Sequence, residues 1–353
     1  MRVLLVEPQR SRKYYTSYPP LGLLKLARYH KSRGDRVALI HGLDGDGYDP
    51  DRIYVTSLFT YAWEAVHITI QHYLKKYPKA KLTVGGIYAS LCPGKLRRAF
   101  GSRIAICRGV RPELDCLRPD YSLVPKWDAS IVFSSRGCIR KCAFCSVRVL
   151  EPEFSALRTV RRLIDPKHRR IVLWDNNVLA SPHWRAVFAQ LAEIGKPVDF
   201  NQGLDARLMT EGVVEQLGKL NVPVVRLAFD TVSVRGQLKR AIDLLLERGY
   251  NGRRIIVYCL HNYNDTPEDL FTRTRDLLDW GVAAYPMRYE PLEPREKNSY
   301  VAPGWSARQL DMVAHARRVI GYGGAFPPYE GLRKKFANAR GFSEAFGLRP
   351  RAH

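Results

Sequence analysis

The sequence predicts an α/β protein in which a doubly wound parallel sheet is followed by a partial (β/α)6 barrel. Short apolar runs of strand type alternate with amphipathic helical segments along most of the 353 residues. In the second part of the chain each apolar run ends in polar residues, which is typical of strands whose carboxyl ends carry function. One strand is followed by a loop with three cysteines in eight residues.

The first part of the chain, residues 1–115, predicts a parallel sheet that binds its ligands beyond the carboxyl ends of the strands. The predicted strands cover 3–6, 36–40, 53–57 and 81–84, and the predicted helices cover 21–32 and 62–77. A connector over 116–129 follows, marked by Pro119 and Pro125.

The second part, residues 130–300, resumes the alternation and predicts the six-stranded partial barrel. Its strands are expected at 131–133, 170–174, 198–201, 224–229, 254–260 and 283–288, with helices between them such as 234–248 and 267–280. Residues 301–353 form a basic C-terminal extension with nine Lys and Arg residues against three acidic residues.

The composition is that of an ordinary globular protein, with 46% hydrophobic and 26% charged residues. Because no window holds 18 uninterrupted apolar residues, the sequence predicts no membrane span. The first eight residues predict a strand and not a signal peptide. Seven cysteines that include a compact cluster motif favour a reducing compartment, so we expect a cytoplasmic protein.

The net charge of +23 favours polyanionic partners such as tRNA, DNA or nucleotides, although a solvated basic surface would give the same count. In the C-terminal extension, Gly and aromatic residues over 321–329 precede a basic set. That set comprises Arg333, Lys334, Lys335 and Arg340. The aromatic residues could stack bases while the basic residues contact phosphates, or the segment could cap the barrel with a solvated helix.

Cys138, Cys142 and Cys145 have the spacing C-x3-C-x2-C. Thiolates this close favour an iron–sulfur cluster or zinc. Three ligands leave one iron of a cubane cluster open, and an open iron can bind a small molecule. Zinc would require a fourth ligand, and the next candidate downstream, His168, is 23 residues away. A zinc site and three unrelated buried thiols remain alternatives.

The cysteine spacing, Phe144 before the last cysteine, the preceding strand, and Arg136-Gly137 together resemble the radical S-adenosylmethionine (SAM) superfamily. The resemblance implies that the three cysteines hold a 4Fe–4S cluster whose open iron binds the amino and carboxylate groups of SAM. It implies reductive cleavage of SAM to a 5′-deoxyadenosyl radical that abstracts hydrogen from an unidentified substrate. It also implies an external one-electron donor such as a flavodoxin or ferredoxin.

The same resemblance implies that polar residues at the strand ends bind SAM, with Phe144 near the adenine and Asp175 and Asn176 near the amino group. An arginine could bind the carboxylate through two parallel hydrogen bonds. Any single Asp or Asn at these positions could instead be a turn or helix cap. The candidate cofactor-binding residues are Phe144, Asp175, Asn176, Gln202, Asp205, Arg207, Arg226, Asp230, His261 and Arg288, with the three arginines as candidate carboxylate ligands.

Residues 1–115 resemble the cobalamin-binding-type Rossmann domain that precedes the radical SAM domain in one subgroup. The resembling segments are 3–6, 19–22, 33–37 and 84–87. The cobalt-ligating D-x-H-x-x-G signature should follow the first strand, but residues 7–22 contain no histidine, and His41 follows the second strand. This departure argues against histidine-ligated cobalamin and favours a retained domain that shapes the substrate cleft.

The four remaining cysteines have less specific contexts. Cys259 lies in a predicted strand and is expected to be a buried core thiol. Cys92, Cys107 and Cys116 match no compact motif, although they could hold a second cluster. Outside the enzyme class, the leading alternative function is a non-catalytic iron–sulfur or zinc protein that binds nucleic acid.

Overall fold

The computed structural model describes residues 1–8, 18–43, 47–293 and 296–348. It divides into two compact units. Unit 1 comprises Met1–Phe154, Val160–Arg169 and Pro291–Lys297, and unit 2 comprises Ser155–Thr159, Arg170–Glu290 and Asn298–His353. The domain boundaries at 115, 129 and 300 stay predictions, because a compact unit need not be a domain that folds alone.

Unit 1 contains a sheet of five parallel strands. These are β1 (Arg2–Glu7), β2 (Arg36–His41), β3 (Arg52–Thr56), β4 (Lys81–Gly85) and β5 (Ile104–Ile106). Their order is β2-β1-β3-β4-β5, an order found in doubly wound parallel sheets. The direction of winding reverses between β1 and β3. Two more strands, β6 (Ala129–Val132) and β7 (Ser135–Arg136), lead into the cysteine loop.

Helices cover both faces of this sheet. The helices of unit 1 are α1 (Leu21–Lys31), α2 (Trp63–Lys76), α3 (Ile87–Leu91), α4 (Pro93–Phe100), α5 (Pro112–Asp115) and α6 (Val147–Leu150). Val3 and Leu5 of β1 pack with residues of α1, whereas Leu4 and Val6 pack in a second cluster that includes Ile70 of α2. Because successive strand residues point to opposite faces, β1 is apolar throughout.

Gly86 allows a close approach at the carboxyl ends of β3 and β4. Its φ is +105°, and a Cβ at this position would lie 2.5 Å from the carbonyl oxygen of Ser57. The Ser57 hydroxyl donates to the carbonyl of Gly85 and accepts from the backbone N–H of Ala89. The segments that follow β3 and β4 can therefore approach each other this closely only because residue 86 has no side chain.

In unit 2, five parallel strands follow one another in chain order. A short strand β8 (Ser155–Ala156) precedes β9 (Arg170–Leu173), β10 (Val198–Phe200), β11 (Val225–Ala228), β12 (Ile255–His261) and β13 (Ala283–Arg288). β9 pairs with β10, and β11, β12 and β13 form a three-stranded parallel sheet. After β10, the Leu204 N–H donates to the Arg226 carbonyl of β11 at 2.8 Å.

These strands confirm the prediction of a mixed α/β protein with parallel sheets, and all six apolar runs of residues 130–300 are strands. The closure of these strands into a partial barrel and the Rossmann-like assignment stay predictions. No helix in the described ranges has both the length and the apolar character needed to cross a membrane.

Helices pack on one face of the β11–β13 sheet, whereas several side chains on the opposite face, the open face, are exposed. The helices of unit 2 are α7 (Trp184–Ile194), α8 (Glu211–Leu217), α9 (Arg235–Glu247), α10 (Pro267–Asp279), α11 (Ala307–Val319), α12 (Glu330–Asn338) and α13 (Phe342–Phe346). Leu227, Val257 and Cys259 are buried on the covered face, whereas Ala228 and Met287 are exposed on the other face. Parallel sheets are normally covered on both faces, so the open face of β11–β13 is unusual.

The C-terminal segment is part of the core of unit 2. Phe326 forms an antiparallel bridge with Ala284 of the edge strand β13. Its ring contacts Phe336 and Phe346, with centroids 5.7 and 5.9 Å apart, and Phe336 stacks on Phe271 of α10. Residues 301–348 therefore form a helical layer on unit 2, which agrees with the interpretation of this segment as a cap.

Arg273 connects the carboxyl ends of β11 and β12. Its side chain is 1% exposed. It donates to the carbonyl oxygens of Phe229 and Leu260 at 2.7 and 2.9 Å and to the carboxylate of Asp265 at 2.5 Å. The guanidinium thus satisfies strand-end carbonyls that no neighbouring strand residue can reach.

We expect Arg273→Leu to lower the free energy of unfolding by about 3–5 kcal/mol, because Asp265 and the strand-end carbonyls would stay buried without their donor. Urea unfolding followed by circular dichroism would measure the change. Arg240→Leu on the exposed side of α9 makes the same chemical change and should cost at most about 0.5 kcal/mol. An equal decrease in the free energy of unfolding in the two variants would contradict this role of Arg273.

Candidate functional site

The cysteine loop lies between β7 and α6 in unit 1. The N–H of Cys145 donates to the carbonyl of Cys142 at 3.1 Å, which forms a turn between these two cysteines. The N–H of Arg140 points at the Cys138 sulfur, 3.3 Å away. The structure describes all seven cysteines, and none is in a disulfide. Backbone donors to thiolate sulfur are one of the factors that set the potential of iron–sulfur clusters.

The donor set of this loop fits a soft metal centre by its chemistry, since three half-buried thiols lie within eight residues. The described part of the chain contains no group of three or more Cys, His, Asp or Glu side chains already arranged to hold a metal ion.

Arg136 joins the two ends of the loop. It donates to both carboxylate oxygens of Asp115 at 2.6 and 3.0 Å, and to Glu151, just after α6, at 3.0 Å. The other oxygen of Glu151 accepts the N–H of Gly137 at 2.7 Å. The residues before Cys138 and after α6 are thus held together, whatever the conformation of the cysteines between them.

A buried lysine completes this network. The Nζ of Lys25 on α1 lies 2.8 Å from Asp115. Burial lowers the pKa of Lys25, and the carboxylate of Asp115 opposes this shift only in part. Burial acts to raise the pKa of Asp115, but hydrogen bonds and charges from Arg136 and Lys25 outweigh it, so the pKa lies below 3.8. The ring of Phe133 contacts both cations, with its centroid 3.3 Å from the Arg136 Cζ.

Gly137 has to be glycine for two reasons. Its φ is +76°, and a Cβ would lie 2.4 Å from the carbonyl oxygen of Glu153. The residue before the first cysteine therefore turns in the left-handed region against the returning chain. This gives a physical reason for the Arg-Gly pair that precedes Cys138.

In unit 2, the ends of β9 and β10 bring polar candidates together. Asp175 is buried, and Asn177 donates to Asp205 at 3.1 Å. The other oxygen of Asp205 accepts from the N–H and the Nε of Arg207, at 3.2 and 2.7 Å. Asn177 was missed as a candidate, although it directly follows Asp175 and Asn176 at the same strand end.

Asn176, Gln202 and Phe144 are three further candidates for binding SAM. Asn176 is half-buried, and Gln202 is exposed and donates to the neighbouring Asn201 at 3.2 Å. Phe144 is half-buried within the cysteine loop of unit 1. Their assignment to SAM stays a prediction.

Arg226 and Asp230 belong to β11 and its carboxyl end. Arg226 forms an ion pair with Asp199 of β10. The carboxyl group of Asp230 accepts the N–H of Leu260 at 3.4 Å. Burial raises the pKa of Asp230, and the charge of Arg273 opposes that shift.

His261 and Arg288 are register partners at the ends of β12 and β13. His261 is 2% exposed and lies beside Trp305. Burial, aided by the charges of Arg317 and Arg273, lowers its pKa to about 3, so its ring is neutral. Arg288 donates to the carbonyls of Asn298 and Tyr300, both at 2.7 Å.

The candidate residues of unit 2 do not share one face of the sheet. By strand alternation, His261 and Arg288 lie on the face opposite Tyr258 and Tyr285. Arg226 lies on the same face as Tyr258, because its register partner is Ile256.

The remaining cysteines have separate partners. Cys92 donates to the carbonyl of Leu292, Cys107 accepts from the Nε of Arg111, and Cys116 donates to the carbonyl of Glu113. Cys259 is fully buried, and burial raises its pKa to about 12, which confirms it as a core thiol.

The basic run on α12 does not form a continuous positive track. Lys335 donates to the carbonyls of Glu344 and Gly347, both at 2.9 Å, and so holds the end of α13. Lys334 pairs with Glu330, and Arg333 lies 4.0 Å from Asp279. Acidic groups thus accompany the two residues that remain at the surface.

The segment expected to carry a cobalt-ligating motif, after β1, lies largely at 9–17, outside the described residues. His41 at the end of β2 forms an ion pair with Glu7 at the end of β1, with Nδ1 and Oε2 2.7 Å apart.

The sequence matches no protein-family model, and no curated protein matches it. What the chain can do is therefore inferred from its own side chains.

We expect Asp115→Asn to lower the free energy of unfolding at pH 7 by about 3–5 kcal/mol, because Lys25 and Arg136 would lose their shared carboxylate. In the parent, the lowered pKa of Asp115 makes this stabilisation fully present above pH 3.8 and lost as the pH falls further. The difference between parent and variant should shrink accordingly in acid.

Glu113→Gln is the matched control, since Glu113 is exposed on the same short helix. This control substitution should change the free energy of unfolding by at most about 0.5 kcal/mol. Urea titrations at neutral and acid pH would measure both variants, and a difference between Asp115→Asn and the parent that does not change with pH would contradict the network.

Proposed function

We propose that this protein is a radical SAM iron–sulfur enzyme. The observation that carries the proposal is the loop of three cysteines, half-buried and without a disulfide, whose two ends are fixed by Arg136 and Glu151. A structural zinc site would require a fourth close ligand. The described residues provide no fourth Cys or His within the loop.

Under this proposal, Cys138, Cys142 and Cys145 hold a 4Fe–4S cluster. When bound, the cluster supplies the electron that cleaves SAM and leaves a 5′-deoxyadenosyl radical, which takes a hydrogen atom from the substrate. The protein contributes binding, orientation and exclusion of water.

The residues of unit 1 orient the loop. The N–H of Arg140 donates to the Cys138 sulfur, and the paired charges of Lys25, Asp115 and Arg136 fix the strand from which the loop departs. Since these charges compensate one another, they contribute rigidity at little net charge. Phe144 provides an apolar surface for the adenine.

The strand ends of unit 2 provide the polar ligands of SAM. Asp175 is buried at the end of β9, and Asn177 and Asp205 are bonded to each other, so the oxygens of these residues are candidate acceptors for the amino group. Of the candidate arginines, Arg207 and Arg226 are paired with carboxylates, and Arg288 is bonded to carbonyls.

The finer fold and cellular setting belong to the same proposal. Unit 1 would contain a Rossmann-like domain of the cobalamin-binding type without a histidine ligand for cobalt, and unit 2 most of a partial (β/α)6 barrel. The enzyme would be cytoplasmic and would take its electron from a flavodoxin or ferredoxin. The strand order of unit 1 and the consecutive parallel strands of unit 2 support this architecture.

Anaerobic reconstitution with iron and sulfide tests the proposal. The parent should bind about four iron atoms per chain and form 5′-deoxyadenosine from SAM with dithionite. The triple variant Cys138→Ala, Cys142→Ala, Cys145→Ala should lose both, because the cluster would have no thiolate ligands.

Cys92→Ala, Cys107→Ala, Cys116→Ala is the matched control, with the same three substitutions in the same unit, and it should keep both. Iron retained in the first variant would show that the ligands were assigned wrongly. A parent that binds zinc, or iron without forming 5′-deoxyadenosine, would favour a non-catalytic metal protein.

A further inference from the structure

The open face of the β11–β13 sheet carries a pair of tyrosines. Tyr258 and Tyr285 are register partners on β12 and β13, and their rings meet edge to face with centroids 5.0 Å apart. Both side chains are half-buried, and neither hydroxyl bonds to any residue in the described ranges. A half-covered pair of phenols on a parallel sheet is an unusual arrangement unless something binds to it.

An arginine from the C-terminal layer lies against the same pair. Arg317 on α11 places its guanidinium carbon 4.4 Å from the ring centroid of Tyr285. Its Nε donates to the carbonyl of Gly324 at 2.8 Å, which orients the group.

The turn around Gly324 leaves room for the Arg317 guanidinium. Gly324 has a φ of +84°, and a Cβ there would lie 2.7 Å from Nη2 of Arg317 and displace the guanidinium. Gly321 cannot carry a side chain either, since its Cβ would lie 2.4 Å from the Arg317 carbonyl oxygen. Gly324 thus leaves room for the guanidinium, and Gly321 leaves room for the backbone at the end of α11.

The hydrogen-bonding capacity of this arginine is mostly unused. Within the part of the chain that the structure describes, no group accepts from its η nitrogens, and no carboxylate lies within ion-pair distance. By contrast, Arg226 on the same face is paired with Asp199. The charge of Arg317 is therefore uncompensated on this face.

The guanidinium of Arg317 and the hydroxyls of Tyr258 and Tyr285 together favour an oxyanion as ligand. A guanidinium has only donors, and each phenol can donate one hydrogen bond. Together these groups offer more donors than a carboxylate has oxygens, so they suit a phosphate monoester, which has three terminal acceptor oxygens and a larger negative charge.

We propose that Arg317, Tyr258 and Tyr285 form a phosphate-binding site on the open face of unit 2, and that the substrate carries a phosphate monoester. The assignment to the substrate rests on the proposed function, whereas the phosphate site itself does not. The substrate class is then a phosphorylated small molecule or a nucleotide.

Phenyl phosphate is a suitable probe, because its ring can contact the tyrosines while its phosphate reaches Arg317. Its binding to the full chain, without iron or SAM, would be followed by phosphorus NMR titration. Arg317→Ala should weaken binding at least about tenfold, as expected for loss of a charge-assisted fork. Tyr258→Phe with Tyr285→Phe should weaken it about fivefold or more, since two donors are lost and both rings are kept.

Arg318→Ala is the matched control, since Arg318 is the exposed neighbour of Arg317 on the same helix. Its affinity should stay within about twofold of the parent, because exposed charges contribute little. If Arg318→Ala weakened the binding of phenyl phosphate as much as Arg317→Ala does, the binding would reflect general surface charge. That result would overturn the proposed site. Because Arg317→Ala also loses the bond to Gly324, the tyrosine variant serves as the test if that protein does not fold.

Three further results would overturn the inference: unchanged affinity in both site variants, no binding by the parent, or benzoate binding as tightly as phenyl phosphate. The experiment is independent of the cluster. A parent that forms 5′-deoxyadenosine but does not bind phenyl phosphate would refute the phosphate site alone, and the converse result would refute the proposed function alone.

Discussion

The ion network around Arg136 is the interaction on which the candidate site depends. Two cations, Lys25 and Arg136, and two anions, Asp115 and Glu151, lie largely out of solvent and neutralise one another. Each charge would be costly if it were buried alone, but the set satisfies itself through short hydrogen bonds. The stem of the cysteine loop is in this way joined to α1 through Lys25 and to the residue after α6 through Glu151.

The parallel sheets of the two units differ in how their faces are covered. In unit 1, helices cover both faces, so the strands contribute apolar side chains in both directions and any ligand must bind at the strand ends. In unit 2, one face of β11–β13 stays open and carries polar and aromatic side chains, among them Arg226, Tyr258 and Tyr285. The open face therefore offers a surface for ligands besides the strand ends.

Sequence patterns predicted the elements whose signal is local. Apolar runs identified most of the strands, including the three-residue β10, whereas β5, which has the same length, was missed. The spacing of Cys138, Cys142 and Cys145 predicts a metal loop, and this assignment stays a prediction. Partners that are distant in sequence gave no signal: Asp115 is 90 residues from Lys25, and Lys335 looks like a solvated lysine until its two carbonyl acceptors are known. Charge composition alone cannot separate a binding surface from such internal contacts.

The internal partners of the arginines also bear on which of them would bind the carboxylate of SAM under the proposed function. At Arg207 and Arg226, an incoming carboxylate must replace one that is already present, so little electrostatic energy is gained. Arg288 instead donates to neutral carbonyls, and its buried Nε has no acceptor among the described residues. Burial lowers its pKa, with Glu290 and Asp311 opposing that shift. A carboxylate bound there would supply the missing acceptor and compensate a buried charge, and this difference favours Arg288 as the carboxylate ligand.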